Sequence, residues 1–199
     1  DWTGQLLSFK INPDGTVPES PEWDAAEEIP EPASRTILTV NDLREGVPFR
    51  WDDLDAAYRT RLQPLNDGLG DERVAYLRGD KSLEVARSGG VFRNRRTLLG
   101  DIISSSPQFV GAPRGTYRDT VEAVRYSQFK ADNAERTPVI YAGANDGMLH
   151  GFRATDGQEL LAFVPRSVSN NLHQLTSPSY AHKFYVDGTP TITDAFVDG

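Results

Sequence analysis

Three short apolar runs, separated by two Asp-Gly pairs, make up residues 139–165, whose sequence is VIYAGANDGMLHGFRATDGQELLAFVP. Runs of this length, rich in branched and aromatic residues, are typical of β-strands. Asn, Asp and Gly between them tolerate the left-handed backbone angles of tight turns. The stretch therefore predicts an antiparallel meander with strands over residues 139–143, 148–152 and 159–163.

The N-terminus carries a shorter version of this pattern. The motif G-x-L-x-x-F followed by D-G begins at Gly4 and again at Gly147. Recurring turn-strand-turn units with periodic Gly and aromatic positions are typical of propeller blades. We interpret residues 1–30 and 137–165 as blade-like repeats of a partial, mainly β propeller. A β-sandwich built from similar hairpins is the alternative.

Other elements must lie between the two repeats, because a blade usually occupies ~40 to 50 residues. Apolar spacing predicts helices over residues 51–62, 71–77, 120–133 and 168–175, the first two within a helical insertion at about 45–100. Further strands are predicted over residues 36–40, 108–110, 182–186 and 191–196, the last two beginning another blade at about 182–199. The acidic, Pro-rich residues 16–32 predict a loop, in which residues 21–25 are the candidate third strand of the first blade.

Composition limits the function. A net charge of -8 over 199 residues disfavours nucleic-acid binding, which needs a basic surface to displace phosphate counterions. No apolar run reaches the roughly 20 residues of a membrane-spanning helix. The absence of cysteine excludes disulfides, thiolate metal sites and a cysteine nucleophile from this chain. Both termini fall in turn signatures, so we expect the chain to be part of a longer protein.

The acidic turns do not have the composition of a metal or phosphate site. Apolar Met148 and Leu149 and the glycine Gly151 stand where an EF-hand-like loop after Asp146 would need oxygen ligands. The histidines His150, His173 and His182 lack zinc-ligand spacing and are predicted to be structural. No phosphate-binding glycine loop and no G-x-S-x-G motif is present. We predict no catalytic, cofactor-binding or metal-binding residue, and a protein that is not an enzyme.

One tripeptide is a candidate adhesive site. Arg78, Gly79 and Asp80 form the Arg-Gly-Asp sequence that integrins recognise when it is exposed at a loop tip. Here it follows a predicted helix, where Gly79 serves equally well as the C-terminal cap. A nearby basic cluster is predicted to supply salt-bridge partners, and its members are Arg87, Arg93, Arg95 and Arg96.

Six segments taken together resemble one family. In chain order they are YLRGD (76–80), FRNR (92–95), LGDIISSSP (99–107), YAGANDGMLHGF (141–152), ELLAFVP (159–165) and YAHKFYVDGTP (180–190). They resemble the C-terminal β-propeller domain of the PilC/PilY family of type IV pilus tip-associated adhesins. The propeller is also similar to quinoprotein blades, with Phe163 where a blade tryptophan often stands.

The resemblance implies an exported, non-enzymatic component of type IV pili at the pilus tip, the cell surface, or the outer membrane and periplasm. It implies roles in pilus biogenesis, control of retraction, twitching motility and adhesion. The implied partners are pilins, minor pilins, pilus assembly proteins and host-cell receptors. The resemblance also implies a calcium loop of the D-x-D-x-D type, which is not found in residues 1–199, so it either lies elsewhere in a longer protein or is absent. A quinoprotein-like periplasmic oxidoreductase and a generic propeller scaffold for outer-membrane assembly are the alternatives.

Overall fold

The computed structural model describes residues 2–64 and 66–196, which are organised around one large β-sheet. The strands are β1 (Leu7–Ser8), β2 (Trp23–Asp24), β3 (Ile37–Val40), β4 (Gly46–Pro48), β5 (Gln108–Val110), β6 (Val139–Gly143), β7 (Leu149–Arg153) and β8 (Glu159–Val164). The helices are α1 (Ala56–Leu62), α2 (Gly70–Arg78) and α3 (Tyr126–Asp132), with 3-10 turns at Trp51–Asp53, Arg166–Val168 and Leu172–Thr176. No helix within the described residues is long and apolar enough to cross a membrane.

Six strands form the sheet, in the order β4-β3-β8-β7-β6-β5. From β5 to β8 each strand runs antiparallel to the next, which confirms the predicted meander and the predicted strand before it. β3 joins β8 in parallel and pairs on its other side with β4. The predicted mainly β fold is thus confirmed.

The meander turns both contain a glycine in the left-handed region. Gly147 has φ +94° and Gly157 has φ +75°. A side chain at either position would also collide with a neighbour, since a Cβ would lie 2.7 Å from Leu172 Cδ2 or from Trp23 Cε3. Both predicted turns are therefore present and closely packed.

One face of the sheet, here called the inner face, carries the larger hydrophobic core. Ile37, Ala162 and Val164 lie on it and pack in one buried cluster with residues of α1 and α2, including Tyr58 and Leu62. α1 begins later than the helix predicted over 51–62, because the carboxylate of Asp55 accepts a hydrogen bond from the backbone N–H of Tyr58 and caps the helix there. α2 matches its prediction and ends at Gly79.

The N-terminal unit forms a two-stranded antiparallel ribbon of β1 and β2. Residues 23–24, within the candidate third strand, do form a strand, and Gly15 has the positive φ of the predicted turn. Trp23 packs against the glycine of the second Asp-Gly turn and joins a small core with Leu99 and Phe152. The ribbon therefore docks on the meander through one aromatic side chain.

Two helix predictions were only partly right. The helix predicted over 120–133 covers Tyr126–Asp132, because Asp119 bonds the backbone and hydroxyl of Ser127 and the preceding Val121 and Val124 are exposed, without a packing surface. The helix predicted over 168–175 is replaced by 3-10 turns at Arg166–Val168 and Leu172–Thr176.

The strands predicted over 182–186 and 191–196 are wrong. The backbone N–H of Tyr185 donates to the Asn145 side chain, so this segment bonds a turn and not a neighbouring strand. Ile192 and Phe196 are exposed, and residues 191–196 pair with none of the described strands. The rest of the predicted further blade, residues 197–199, lies outside the described residues, as does Asp1.

Strands β5 to β8 have the four-stranded antiparallel form of one propeller blade. Within the described part of the chain the strands form one six-stranded sheet and one ribbon, and no closed ring of blades. The division into blade-like repeats at 1–30 and 137–165 stays a prediction.

Candidate functional site

The first Asp-Gly turn of the meander is the point where most of the family-like segments meet. Its two polar side chains enter separate hydrogen-bond networks: Asp146 bonds groups on the inner face of the sheet, and Asn145 bonds residues of the 180–190 segment. Together, the two networks connect parts of the chain that are more than 100 residues apart. We call the first set the ion network and the second the junction.

The ion network is a chain of four side chains that runs from Arg35, just before β3, to the turn, and all but Asp146 are buried. Arg35 donates to Glu159 through Nε at 2.6 Å and Nη2 at 2.8 Å. Nδ1 of His150 lies 2.8 Å from the same carboxylate, and Nε2 lies 3.0 Å from Asp146 Oδ2. Asp146 also accepts the backbone N–H of Gly100 at 2.8 Å.

The protonation states of this network are determined by burial, by the neighbouring charges and by the hydrogen bonds between its members. Burial alone would lower the pKa of His150, but the neighbouring charge and hydrogen bonds of Asp146, with those of Glu159, raise it to about 9. Burial likewise opposes ionisation of Glu159, yet hydrogen bonds from His150 and Arg35 lower its pKa to about 2. At neutral pH the chain alternates in sign: Arg35 positive, Glu159 negative, His150 positive, Asp146 negative.

Both ring nitrogens of His150 are occupied by carboxylates, and this limits what the network can do chemically. A protonated imidazole with two carboxylate acceptors has no free lone pair for a metal or for proton abstraction. The ring is 1% exposed, so substrate cannot reach it. These bonds hold the turn and the start of β8 together on the inner face of the sheet, so the role of the network is structural.

The junction joins three segments around Asn145 and Asp101. The amide of Asn145 donates to Asp101 Oδ2 at 2.8 Å and accepts the backbone N–H of Tyr185 at 2.9 Å. Asp101 also lies 2.8 Å from His182 Nε2, and Asp187 accepts the backbone N–H of Ser104 at 3.0 Å. The segments LGDIISSSP, NDG and HKFYVDGTP are thereby fixed to one another.

The Arg78-Gly79-Asp80 tripeptide lies at the end of α2. The Arg78 side chain is buried, and its guanidinium donates to the backbone oxygens of Phe49, Pro32 and Arg35. Gly79 caps the helix with φ +122°. The Asp80 carboxylate accepts the N–H of Ser82. These contacts support a role in the fold, because the cation of the tripeptide does not reach the surface.

The basic cluster has divided roles. Arg95 pairs with buried Glu84 at 2.9 Å, and its guanidinium also donates to two backbone oxygens, of Tyr76 and Asp80. Arg93 donates to the Leu175 carbonyl. Salt-bridge pairing, the predicted role, is thus confirmed for Arg95, while Arg87 and Arg96 are exposed.

The sequence indicated the acidic turn but missed its partners. Neither Arg35 nor Glu159 was predicted to belong to a site. The signal for Glu159 was its place as a charged residue at the first position of an otherwise apolar strand, E-L-L-A-F-V. Of the three histidines predicted to be structural, His150 and His182 bond to carboxylates, whereas Nδ1 of His173 is buried without a hydrogen-bond partner among the described residues. Within residues 2–64 and 66–196, no group of three His, Asp or Glu side chains is arranged to hold a metal ion.

Comparison with known proteins gives one consistent family. Residues 99–199 match the family model described as the PilY1 beta-propeller domain. The type IV pilus biogenesis factor PilY1 of Pseudomonas aeruginosa strain PAK is 39% identical over 217 residues, covering 100% of this chain and 18% of that protein. A PilY1 homolog of Xylella fastidiosa strain Temecula1 is 44% identical over 198 residues, covering 98% of this chain and 15% of that protein. The chain spans less than a fifth of the length of these relatives. No solved structure matches it.

Proposed function

Because this chain belongs to the PilY1 β-propeller family, we propose that it is a non-catalytic structural module of a type IV pilus biogenesis factor. The observation that carries the proposal is the match over residues 99–199, which contains the three segments joined at Asn145 and Asp101. The relatives are named as biogenesis factors, and a pilus-associated location in the envelope or outside the cell accords with that name.

The module contributes a rigid framework. The ion network and the junction fix the first Asp-Gly turn from both sides. Such a framework suits a protein that presents surfaces to other proteins. We place its partners among pilins, minor pilins and assembly proteins, and its action at the pilus tip or the assembly machinery, where it supports extension against retraction, twitching motility and adhesion. Binding to host-cell receptors and a calcium site are proposed for a longer protein that contains this module, and not for residues 1–199.

The quinoprotein-like type of the propeller is also part of the proposal. It is supported by the four-stranded meander and by Trp23, which packs on Gly157 of the neighbouring unit. The likeness to quinoprotein blades does not imply enzymatic activity. Turnover of an alcohol or sugar by the purified gene product with added quinone and calcium would overturn the non-catalytic part of the proposal.

The test uses the two Asp-Gly turns as a matched pair in a gene-deletion strain. Deletion should abolish surface pili and twitching, and the complete gene product should restore both. Asp146→Asn breaks the ion network and should lower surface pilin at least fivefold, whereas Asp156→Asn changes an exposed side chain and should restore wild-type levels.

Sheared surface pilin and twitching-zone diameter are the measurements, with immunoblots of the variant protein to record its abundance. Unchanged surface pili and motility in the deletion strain would contradict the pilus role. Equal complementation by both variants would instead contradict the structural importance of the network.

A further inference from the structure

A cleft of about 540 Å³ lies between α2 and the loop that follows the last 3-10 turn, and we call it the α2 cleft. It is lined by Leu69, Arg73, Val91, Phe92 and several residues between 173 and 183. Its volume is within the range of roughly 300–1,000 Å³ that is typical of small-molecule sites. The cleft shares no lining residue with the ion network or the junction, so neither of their roles accounts for it.

Two side chains that line the α2 cleft each have a buried nitrogen atom without a hydrogen-bond partner. These atoms are Nε of Arg73 and Nδ1 of His173, and within the described residues only Nε of Arg61 shares this property. The Arg73 side chain is 7% exposed, and both of its terminal nitrogens already donate to Asp67, which leaves Nε unused. Because buried polar atoms are nearly always hydrogen-bonded, water or a ligand must supply the partners in this cleft. The cleft is much larger than one water, which occupies about 30 Å³, so it can hold a ligand.

The α2 cleft carries a positive charge in a chain whose net charge is -8. Its charged side chains are those of Asp67, Arg73 and Lys183. The first two form an ion pair, so the exposed Lys183 supplies the surplus charge. Burial lowers the pKa of His173, and the charges of Arg73 and Lys183 lower it further, so its imidazole is neutral at neutral pH. One surplus positive charge suits a carboxylate better than a phosphate ester, which carries about -1.5 to -2 at pH 7.

Hydroxyl and apolar groups make up much of the remaining lining. Ser177 and Ser179 line the cleft, and their hydroxyl oxygens lie 3.0 Å apart. A hydroxyl both donates and accepts hydrogen bonds, and a neutral imidazole has one donor and one acceptor, so these groups can pair with hydroxyls of a ligand. Leu69 and Val91 provide apolar surface for its carbon skeleton. A sugar ring combines these properties, because its hydroxyls surround apolar ring faces.

We propose that the α2 cleft binds a monocarboxylate that carries several hydroxyl groups, the chemistry of a sugar acid. Lys183 pairs with the carboxylate, and Nε of Arg73 donates to a ligand oxygen. Nδ1 of His173 and the serine hydroxyls bond the hydroxyls of the ligand. Binding is non-covalent and involves no reaction, so it is compatible with a non-catalytic module. The inference does not depend on a role in pili.

Ligand-observed NMR titrations of the complete gene product test the proposal, with D-glucuronate as the probe. D-glucuronate should bind saturably. Glucose, which lacks the carboxylate, and acetate, which lacks the hydroxyls, should each bind about tenfold more weakly or worse. Lys183→Gln should weaken D-glucuronate binding by about tenfold or more. Lys10→Gln is the matched control, because Lys10 is also exposed but does not line the cleft, and it should leave the affinity unchanged.

A second variant tests the position of the site without changing its charge. Ala181 is exposed and lines the cleft, so Ala181→Trp should fill the cleft and abolish binding. Circular dichroism of each variant records its folding. Absence of saturable D-glucuronate binding, or unchanged binding by Lys183→Gln or Ala181→Trp, would overturn the proposal. Equal binding of glucose or acetate, or tighter binding of an acetylated dipeptide with a free C-terminus, would overturn the assignment to a sugar acid.

Discussion

The turns at Asp146-Gly147 and Asp156-Gly157 share a dipeptide and lie ten residues apart in one meander, but their carboxylates have opposite surroundings. Asp146 bonds a buried histidine and the backbone of a distant segment. Asp156 bonds Arg153 three residues away, and both side chains are partly exposed to water. The dipeptide thus specifies the turn, while the tertiary environment decides whether its acid supports the rest of the fold.

The largest expected effect follows from emptying the centre of the ion network. Glu159→Ala leaves Arg35 and His150 as buried cations without their shared partner, and should lower the free energy of unfolding by about 3–5 kcal/mol. Asp156→Ala removes an exposed pair with Arg153 and an exposed hydrogen bond from the backbone N–H of Gln158, and should cost about 1 kcal/mol or less. Urea unfolding of the complete gene product, followed through the transition that contains this module, measures both. Similar losses would mean that the two turns are equivalent after all.

A pH series should give the next effect and separate the two turns without large structural change. Because the pKa of His150 is raised from 6.5 to about 9, its stabilisation is complete below pH 6.5 and is lost as pH rises through about 9. Because the pKa of Glu159 is lowered from 4.5 to about 2, its contribution is present above pH 4.5 and is lost as pH falls towards 2. Each limb amounts to roughly 3 kcal/mol.

Denaturant unfolding between pH 2 and pH 10 measures these limbs. Asp156→Asn should leave both unchanged, and His150→Gln should remove the alkaline one. An alkaline limb that persists in His150→Gln would assign it to another group.

Substitution of the turn glycines should destabilise the protein by a similar amount at both turns. Gly147→Ala and Gly157→Ala each combine a strained positive φ with a contact at 2.7 Å, and each should cost about 2–3 kcal/mol. Gly15→Ala is the control, since its φ is +83° but no atom lies within 4 Å of the added Cβ, and it should cost about 1 kcal/mol. Thermal unfolding of the three variants gives the comparison, and a much smaller loss at one turn would show that its neighbours move aside.

Local patterns were sufficient to predict the meander. Strand runs and Asp-Gly turns are encoded within about 27 residues, so the strands at 139–143, 149–153 and 159–164 were predictable almost to the residue. The strand at Trp23 was predictable for the same reason. Even the buried His150 could be recognised as structural, because no ligand spacing accompanied it.

The networks were not predictable, because their members are far apart in the chain. Arg35 and Glu159 are separated by 124 positions, and nothing in the sequence near either residue indicates the other. The same limit explains the strands wrongly predicted at 182–186 and 191–196. Their alternation is correct for a strand, but the backbone N–H of Tyr185 donates to the side chain of Asn145, and residues 191–196 pair with none of the described strands. Exposed Val121 and Val124 show that helical spacing alone does not supply a packing surface.

The parallel pairing of β3 with β8 has a consequence for how the chain folds as it is made. Ile37 pairs with Ala162, so β3 has no partner on that side until residues 159–164 have been synthesised. Such pairing raises the contact order and slows folding, and the waiting hairpin of β3 and β4 presents an open edge meanwhile. The nascent chain should therefore depend on holding chaperones during the interval between those two strands, and a ribosome pause before residue 164 would extend the time in which it can aggregate.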